Sequence, residues 1–246
     1  MTTLITIADN LKRVQAQIAD ACAHANREAS AVTLVAVSKT HPPNEVLEAL
    51  AAGAQHLGEN RVEESSTKIP VVNAQAGTPP TWHMIGHLQS RKAKDVPPLF
   101  QVVHSVDSLK LAEKLSRQVL EDGGMLDILL EMNVSGEEAK HGFAAANWRS
   151  DSAVREALWS EISAITTLPG LNVRGLMTMA PIVERPDQAR PVFVALSELR
   201  SALAESLSVA LPDLSMGMTD DYAVAIEEGA TIVRIGRAIF GERNVN

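Results

Sequence analysis

Eight short runs rich in Val, Ile and Leu recur along this chain, and helical patterns separate them. They are Val32–Ser38 (VTLVAVS), His56–Glu59 (HLGE, the weakest), Thr81–Gly86 (TWHMIG), Val102–Val106 (VVHSV), Leu126–Val134 (LDILLEMNV), Val173–Met179 (VRGLMTM), Leu214–Met218 (LSMGM) and Thr231–Gly236 (TIVRIG). Near-continuous apolar strands are strands buried on both faces, the habit of parallel sheets whose crossovers are helices. Eight strand–helix units after one extra helix predict an α/β fold, a single closed (β/α)8 barrel. A doubly wound open sheet is the rival, but it usually opens with a glycine-rich phosphate loop, and no GxGxxG follows the first strand. The 246 residues suit one barrel, so 1–246 reads as a single domain.

The helical stretches carry start and stop signals. From Thr6 to Ala29, an apolar stripe of Ile7, Leu11, Val14, Ile18 and Ala21 marks an amphipathic helix to be packed on the barrel. Asn44 opens a helix that Gly53 stops, and Ser108 opens one that ends at Gly123. Asp151 starts a helix reaching Leu168, before Pro169-Gly170. Pro186 and Asp187 begin a run to about Leu207, and Asp220 and Asp221 begin one stopped by Gly229. The linker-like Asn73–Thr81 is too short to divide domains.

The net charge is −8 with scattered basic residues, a poor match to nucleic acid or anionic membrane. No apolar run approaches the ~18 residues of a membrane span. The single Cys22 rules out a disulfide framework and a cysteine-rich zinc site, and fits a reducing compartment. The first residues lack a basic segment and a cleavage site of a secretory signal. A cytoplasmic location is expected.

Function in such a barrel collects at the C-terminal strand ends. These are Ser38-Lys39-Thr40, Glu59-Asn60, His83 with Gly86-His87, Ser105 to Asp107, Asn133 to Ser135, Met177 to Met179, Ser215 to Thr219 and Arg234 to Gly236. Lys39 stands apart from the other lysines because it closes a strand. At the mouth of an apolar pocket its charged form would be disfavoured, leaving an amine able to join a carbonyl; a solvated lysine just past a strand is the alternative. The turns at Ser215-Met216-Gly217-Met218-Thr219-Asp220 and Arg234-Ile235-Gly236-Arg237 follow the last two strands, where barrel phosphate sites often form. Gly217 and Gly236 would let backbone approach an anion, and Arg234 is a donor fork that does not deprotonate. Alternatively, those glycines only relieve tight turns.

Met177, Met179, Met216 and Met218 alternate on two strands, so one of each pair points inward. Core filling is the simpler role; Met177 and Met216 stay among the candidate cofactor contacts. The histidines show no metal spacing: His83 and His87 span a strand end and a glycine, and there is no HExxH. No metal site is expected. GxSxG is also absent, which speaks against a serine hydrolase.

Seven segments, LVAVSKT, HLGENRVEE, WHMIGHLQSRK, MNVSGEEAKHGF, VRGLMTMAP, LSMGMTDD and VRIGRAIFGER, together resemble the pyridoxal 5′-phosphate homeostasis protein family, in order from about Val35 to Arg243. The resemblance implies an alanine-racemase-like barrel that binds pyridoxal 5′-phosphate (PLP) as an imine on Lys39. It implies that Asn60 and His83 line the pocket beside the ring. It further implies that Ser215, the backbone around Met216, Gly236 and Arg237 hold the phosphate, and that Arg234 faces the pyridine nitrogen. Two positions depart from the family pattern. His41 stands where many members have a second lysine, and His87 replaces a proline in IGPLQ; Lys140 retains the family's other lysine.

Arginine against the ring nitrogen would keep it unprotonated and weaken the ring as an electron sink. The racemases that share this barrel complete their site with a tyrosine from a second domain, and the one tyrosine here, Tyr222, is expected to lie elsewhere. The expected function is therefore PLP homeostasis without robust catalysis, with PLP-dependent apo-enzymes as candidate recipients. The expected state is a monomer, since a closed barrel leaves no strand edge to pair. The alternatives are a low-activity amino-acid racemase and a PLP-free phosphosugar barrel enzyme.

Overall fold

A computed structural model describes residues 6–137 and 139–242. Its strands are β1 (Thr33–Val37), β2 (His56–Glu59), β3 (Thr81–Met84), β4 (Val102–Val106), β5 (Leu126–Asn133), β6 (Phe143–Ala144), β7 (Leu171–Met177), β8 (Asp213–Ser215) and β9 (Ile232–Ile235). All pairings are parallel. Each barrel strand joins its neighbour, β4 pairs with β5, and β9 closes on β1 with Val35 opposite Arg234. The two-residue β6 pairs only with β5 and stands outside the ring of eight. The eightfold alternation in the sequence thus folds as a single closed parallel barrel with an extra N-terminal helix.

The helices are α1 (Ile7–His24), α2 (Pro43–Ala51), α3 (Val62–Gln75), α4 (Leu109–Glu121), α5 (Ser152–Thr166), α6 (Arg190–Leu207), α7 (Tyr222–Glu227) and α8 (Arg237–Phe240). α1 starts at a capping box in which Thr6 Oγ1 accepts from the Asp9 amide and Asp9 accepts from the Thr6 amide. It stops at His24 rather than at Ala29. Asn26 turns left-handed (φ 53°), and the Arg27 and Asn26 amides return to the Cys22 and Ala23 carbonyls, a Schellman closure. Leu11, Val14 and Ile18 are buried as α1 packs against α2, α7 and α8.

Other boundaries also shift. α2 begins at Pro43, so Asn44 lies inside the first turn and not at the cap. Pro186–Ala189 is a 3-10 turn, and the α-helix proper begins at Arg190 with Pro191 in its first turn. α3 had no sequence expectation because Pro70 lies inside it and its exposed face is polar. Ser90–Asp95, in the third crossover, is a 3-10 helix only.

Trp82, Phe100 and Phe193 fill the layer between barrel and helices. The barrel's inner face is different. Val35, Leu129, Met177 and Ile232 form a small separate cluster. Inward positions alternate along a strand, so one pleat beyond Ile232 toward the C-terminal mouth comes Arg234. A buried polar layer of His83, His104, Ser215, Thr178 and Arg234 therefore succeeds the apolar one.

Candidate functional site

Arg234 reaches the interior from β9 and is only 5% exposed. Its guanidinium donates to Ser215 Oγ at 2.5 Å and to the Thr178 carbonyl at 3.0 Å. Burial lowers its pKa to about 10, opposed by the nearby Asp221 and Glu131 carboxyls, so the charge persists at neutral pH. Glu131 is the converse case. Burial and the Asp107 carboxylate push its pKa up to about 7, although Arg234 pulls the other way.

Three histidines continue from Arg234 across the interior. Ser215 Oγ lies 2.8 Å from His104 Nδ1, His104 Nε2 lies 2.8 Å from His83 Nδ1, and His83 Nε2 lies 3.0 Å from His56 Nδ1. Arginine can only donate, so Ser215 Oγ accepts from it. Each of the next three contacts pairs one donor with one acceptor, so a neutral chain gives all the rings one common sense of donation. Burial depresses all three pKa values, with His83 at about 3, so the rings stay neutral.

Lys39 follows β1 and lines a cleft of about 360 Å³ with Val37, His41, Gly236, Arg237, Gly241 and Glu242. Its backbone is gripped from both sides. Lys68 on α3, 6% exposed, donates to the Ser38 carbonyl at 2.9 Å, to Glu59 at 2.9 Å and to Glu64 at 2.6 Å. Glu64 in turn accepts from the Thr40 amide at 2.7 Å, and Thr40 adopts φ 68°. Ser38 Oγ donates to Glu59 at 2.7 Å. The residues flanking Lys39 are thus fixed by a buried ion-pair network. No motif flagged Lys68. Its signal was positional: it sits on the stripe of Val62, Ser65, Ile69 and Val72 that α3 buries.

The two C-terminal turns lie beside this cleft. Gly217 has φ 93°, and a Cβ there would meet Ala225 Cβ at 2.7 Å and Tyr222 Cα at 2.8 Å. At Gly236 an added Cβ would stand 3.1 Å from the Val37 carbonyl, the close approach that glycine permits. Arg237 pairs with Asp220 at 2.6 Å, tying the two turns together.

The expected site residues fall into two levels. Lys39, Gly236 and Arg237 share the cleft. Ser215, His83 and Arg234 belong to the buried hydrogen-bond chain beneath it, and both ring nitrogens of His83 are taken by histidines. Met177 lies in the apolar inner cluster, while the Met216 amide donates to the Ile232 carbonyl and its side chain is fully buried. Asn60 packs its backbone against Gly86, and its Oδ1 is buried with no hydrogen-bond partner among the described residues. His41 stacks on Phe240 and bonds Glu45 at 2.7 Å; Lys140 binds Glu137 and the Met179 carbonyl. Tyr222 points outward, its hydroxyl 2.9 Å from Gln17 of α1. No helix among the described residues is long and apolar enough to cross a membrane.

Comparison with known proteins gives this arrangement relatives. Residues 9–244 match the family described as alanine racemase, N-terminal domain. The chain is 40% identical to the pyridoxal phosphate homeostasis protein of Aquifex aeolicus, covering 96% of this chain and 97% of that one. It is 42% identical to the protein of that name in Pseudomonas aeruginosa, over 97% and 96% of the two chains. The structure of PipY from Synechococcus elongatus with PLP bound superposes with a TM-score of 0.80 at 32% identity, covering 96% of this chain and all of that one. Full-length identity on this scale, in the same closed barrel, means that the chain belongs to the pyridoxal phosphate homeostasis protein family, within the larger group that shares the alanine racemase N-terminal domain.

Proposed function

We propose that this protein binds PLP and serves its intracellular homeostasis, attaching the cofactor through the Lys39 amine and releasing it rather than running a reaction on it. The observation that carries this reading is the convergence at one mouth of Lys39, held on both sides by a buried network, with the Gly236–Arg237 turn. The residues fit such a ligand. The Asn60 oxygen is buried without a partner among the described residues, and Gly217 and Gly236 leave backbone open where a Cβ would intrude. PLP, when bound, supplies an electrophilic carbonyl and an electron-withdrawing ring.

The chain's own groups favour holding over turnover. Arg234 is a donor-only partner locked by Ser215 and Thr178, so it cannot accept a hydrogen bond from a protonated ring nitrogen. The one tyrosine is bound to α1 on the outer layer. A cytoplasmic, monomeric protein that hands PLP to apo-enzymes is the fuller form of the proposal.

The test is a spectrum of the purified protein, followed by borohydride reduction and peptide mapping. The expected result is an imine absorption band and a reduced cofactor on Lys39, with the band absent in Lys39→Ala. Recovery of the reduced cofactor on Lys140 or Lys68 would refute the assignment of the amine. Alanine or serine racemisation at ordinary enzyme rates, ~1–10³ s⁻¹, would replace the carrier reading with the racemase one.

A further inference from the structure

The loops after β3, β4 and β5 bring His87, Asp107 and His141 together, with their ligand atoms all within 4.8 Å of one another. No sequence spacing relates these residues; only barrel closure does. We propose that they form a binding site for one divalent transition metal ion of the zinc class, with His87, Asp107 and His141 as its protein ligands.

Each ligand is placed in a way that suits this. His87 Nδ1 is 3.3 Å from Asp107 Oδ2, and the His87 and His141 rings stack at 3.8 Å with planes 15° apart. Two atoms bound to one zinc-sized ion at ~2.0–2.1 Å lie roughly 3–3.5 Å apart, so the His87–Asp107 separation already fits, whereas the stacked rings present their lone pairs side by side and one ring has to swing out of the stack for both to reach one ion. That swing is open to His87, which is 39% exposed. Asp107 is more fixed: Ser108 Oγ donates to its Oδ1 at 3.1 Å while capping α4, which leaves Oδ2 toward the histidines. Such outer support orients the ligands of real metal centres.

Asp107 brings one carboxylate to the two imidazoles. Glu131, buried within electrostatic reach of Asp107, has a carboxyl oxygen with no hydrogen-bond partner among the described residues. The nearby Lys140 ammonium is occupied by Glu137. Two imidazoles and one carboxylate select a borderline ion such as Zn²⁺, Co²⁺ or Ni²⁺, with water in the open positions. An all-oxygen cage would be needed for Ca²⁺ or Mg²⁺.

None of the three residues lines the cleft at Lys39, although His87 shares a neighbouring hollow with Asn60. Around the ring of strands β4 lies four steps from β9 in either direction, so the triad stands across the mouth from Gly236 and Arg237. Metal binding should therefore be unchanged in Lys39→Ala, and its outcome does not depend on whether PLP binds.

The experiment is a titration of untagged full-length protein with Co²⁺ alone, read by its d–d absorption and by calorimetry, then by displacement with Zn²⁺. One ion per chain is expected, displaced by Zn²⁺ and untouched by Mg²⁺. His87→Ala and His141→Ala should each weaken it by at least about 100-fold, beyond the ~10–100-fold typical of losing an outer partner. Both residues lie on the rim, so an unchanged melting temperature will show that the variants fold. Absence of saturable Co²⁺ binding, or equal binding in the His87→Ala/His141→Ala double variant, would overturn the proposal.

Discussion

Glu131 and Arg234 show how the barrel interior treats a single charge. Arg234 stays ionised because two oxygens and two nearby carboxyls compensate it, whereas burial, with the Asp107 carboxylate beside it, raises the Glu131 pKa to about 7. Its folded pKa lies above the ordinary 4.5, so the folded state holds the proton longer than the unfolded chain does. That contribution to stability is complete below pH 4.5 and is lost as the pH rises through 7. Glu131→Gln removes the loss, so the variant should gain on the wild type by roughly 1–3 kcal/mol between pH 4.5 and 8. Urea midpoints of the two proteins across that range check this; parallel curves would show that Glu131 ionises as freely folded as unfolded.

Among the elements, β7 and β8 approach most closely at Gly175. A Cβ there would lie 1.8 Å from the Asp213 carbonyl oxygen, inside the pairing of Gly175 with Asp213. The obstacle is backbone, which cannot swing aside as a side chain can. Gly175→Ala should destabilise the protein by about 3 kcal/mol or more, at or beyond the upper end for overpacking. Thermal melting measures it, and a drop within error of the wild type would mean that the two strands part without cost. The α3–β1 join rests on Lys68 instead. Lys68→Met leaves Glu59 buried and uncompensated, a change of about 3–5 kcal/mol when a buried pair is broken. Because the same ammonium holds the Ser38 carbonyl, that variant should also lower PLP occupancy. Retention of full stability and full occupancy would remove Lys68 from the site.

For the whole molecule, closure is the governing fact. Eight strands paired in a ring leave no long edge, and the two-residue β6 is too short to recruit another chain. The large exposed apolar residues among those described, Val71, Leu120, Met125, Met179, Ile182 and Met218, come from several different crossovers and loops. Light scattering should therefore give the mass of one chain with and without PLP. A stable dimer whose interface covers the cleft at Lys39 would contradict both the monomer and the open mouth that release requires.

The eightfold recurrence of apolar runs determined the barrel without any tertiary knowledge, because strands buried on both faces and joined by helices have few ways to close. It also placed Lys39, the Gly217 turn and the Gly236–Arg237 turn at one end, since parallel strands carry their C-termini to a common face. The seven motifs identified the family. What the sequence left undecided was every relation across the ring. His56, His83 and His104 lie on three neighbouring strands with no spacing in common, and only the closed lumen carries their line across to Ser215 and Arg234. Lys68 carries no motif in the sequence, and only the packing of α3 turns it under β1. His87, Asp107 and His141 likewise gather from three loops. Periodicity records which face a residue takes, but which residues meet across a barrel depends on strand register and closure, and those are set by the packing of the whole chain.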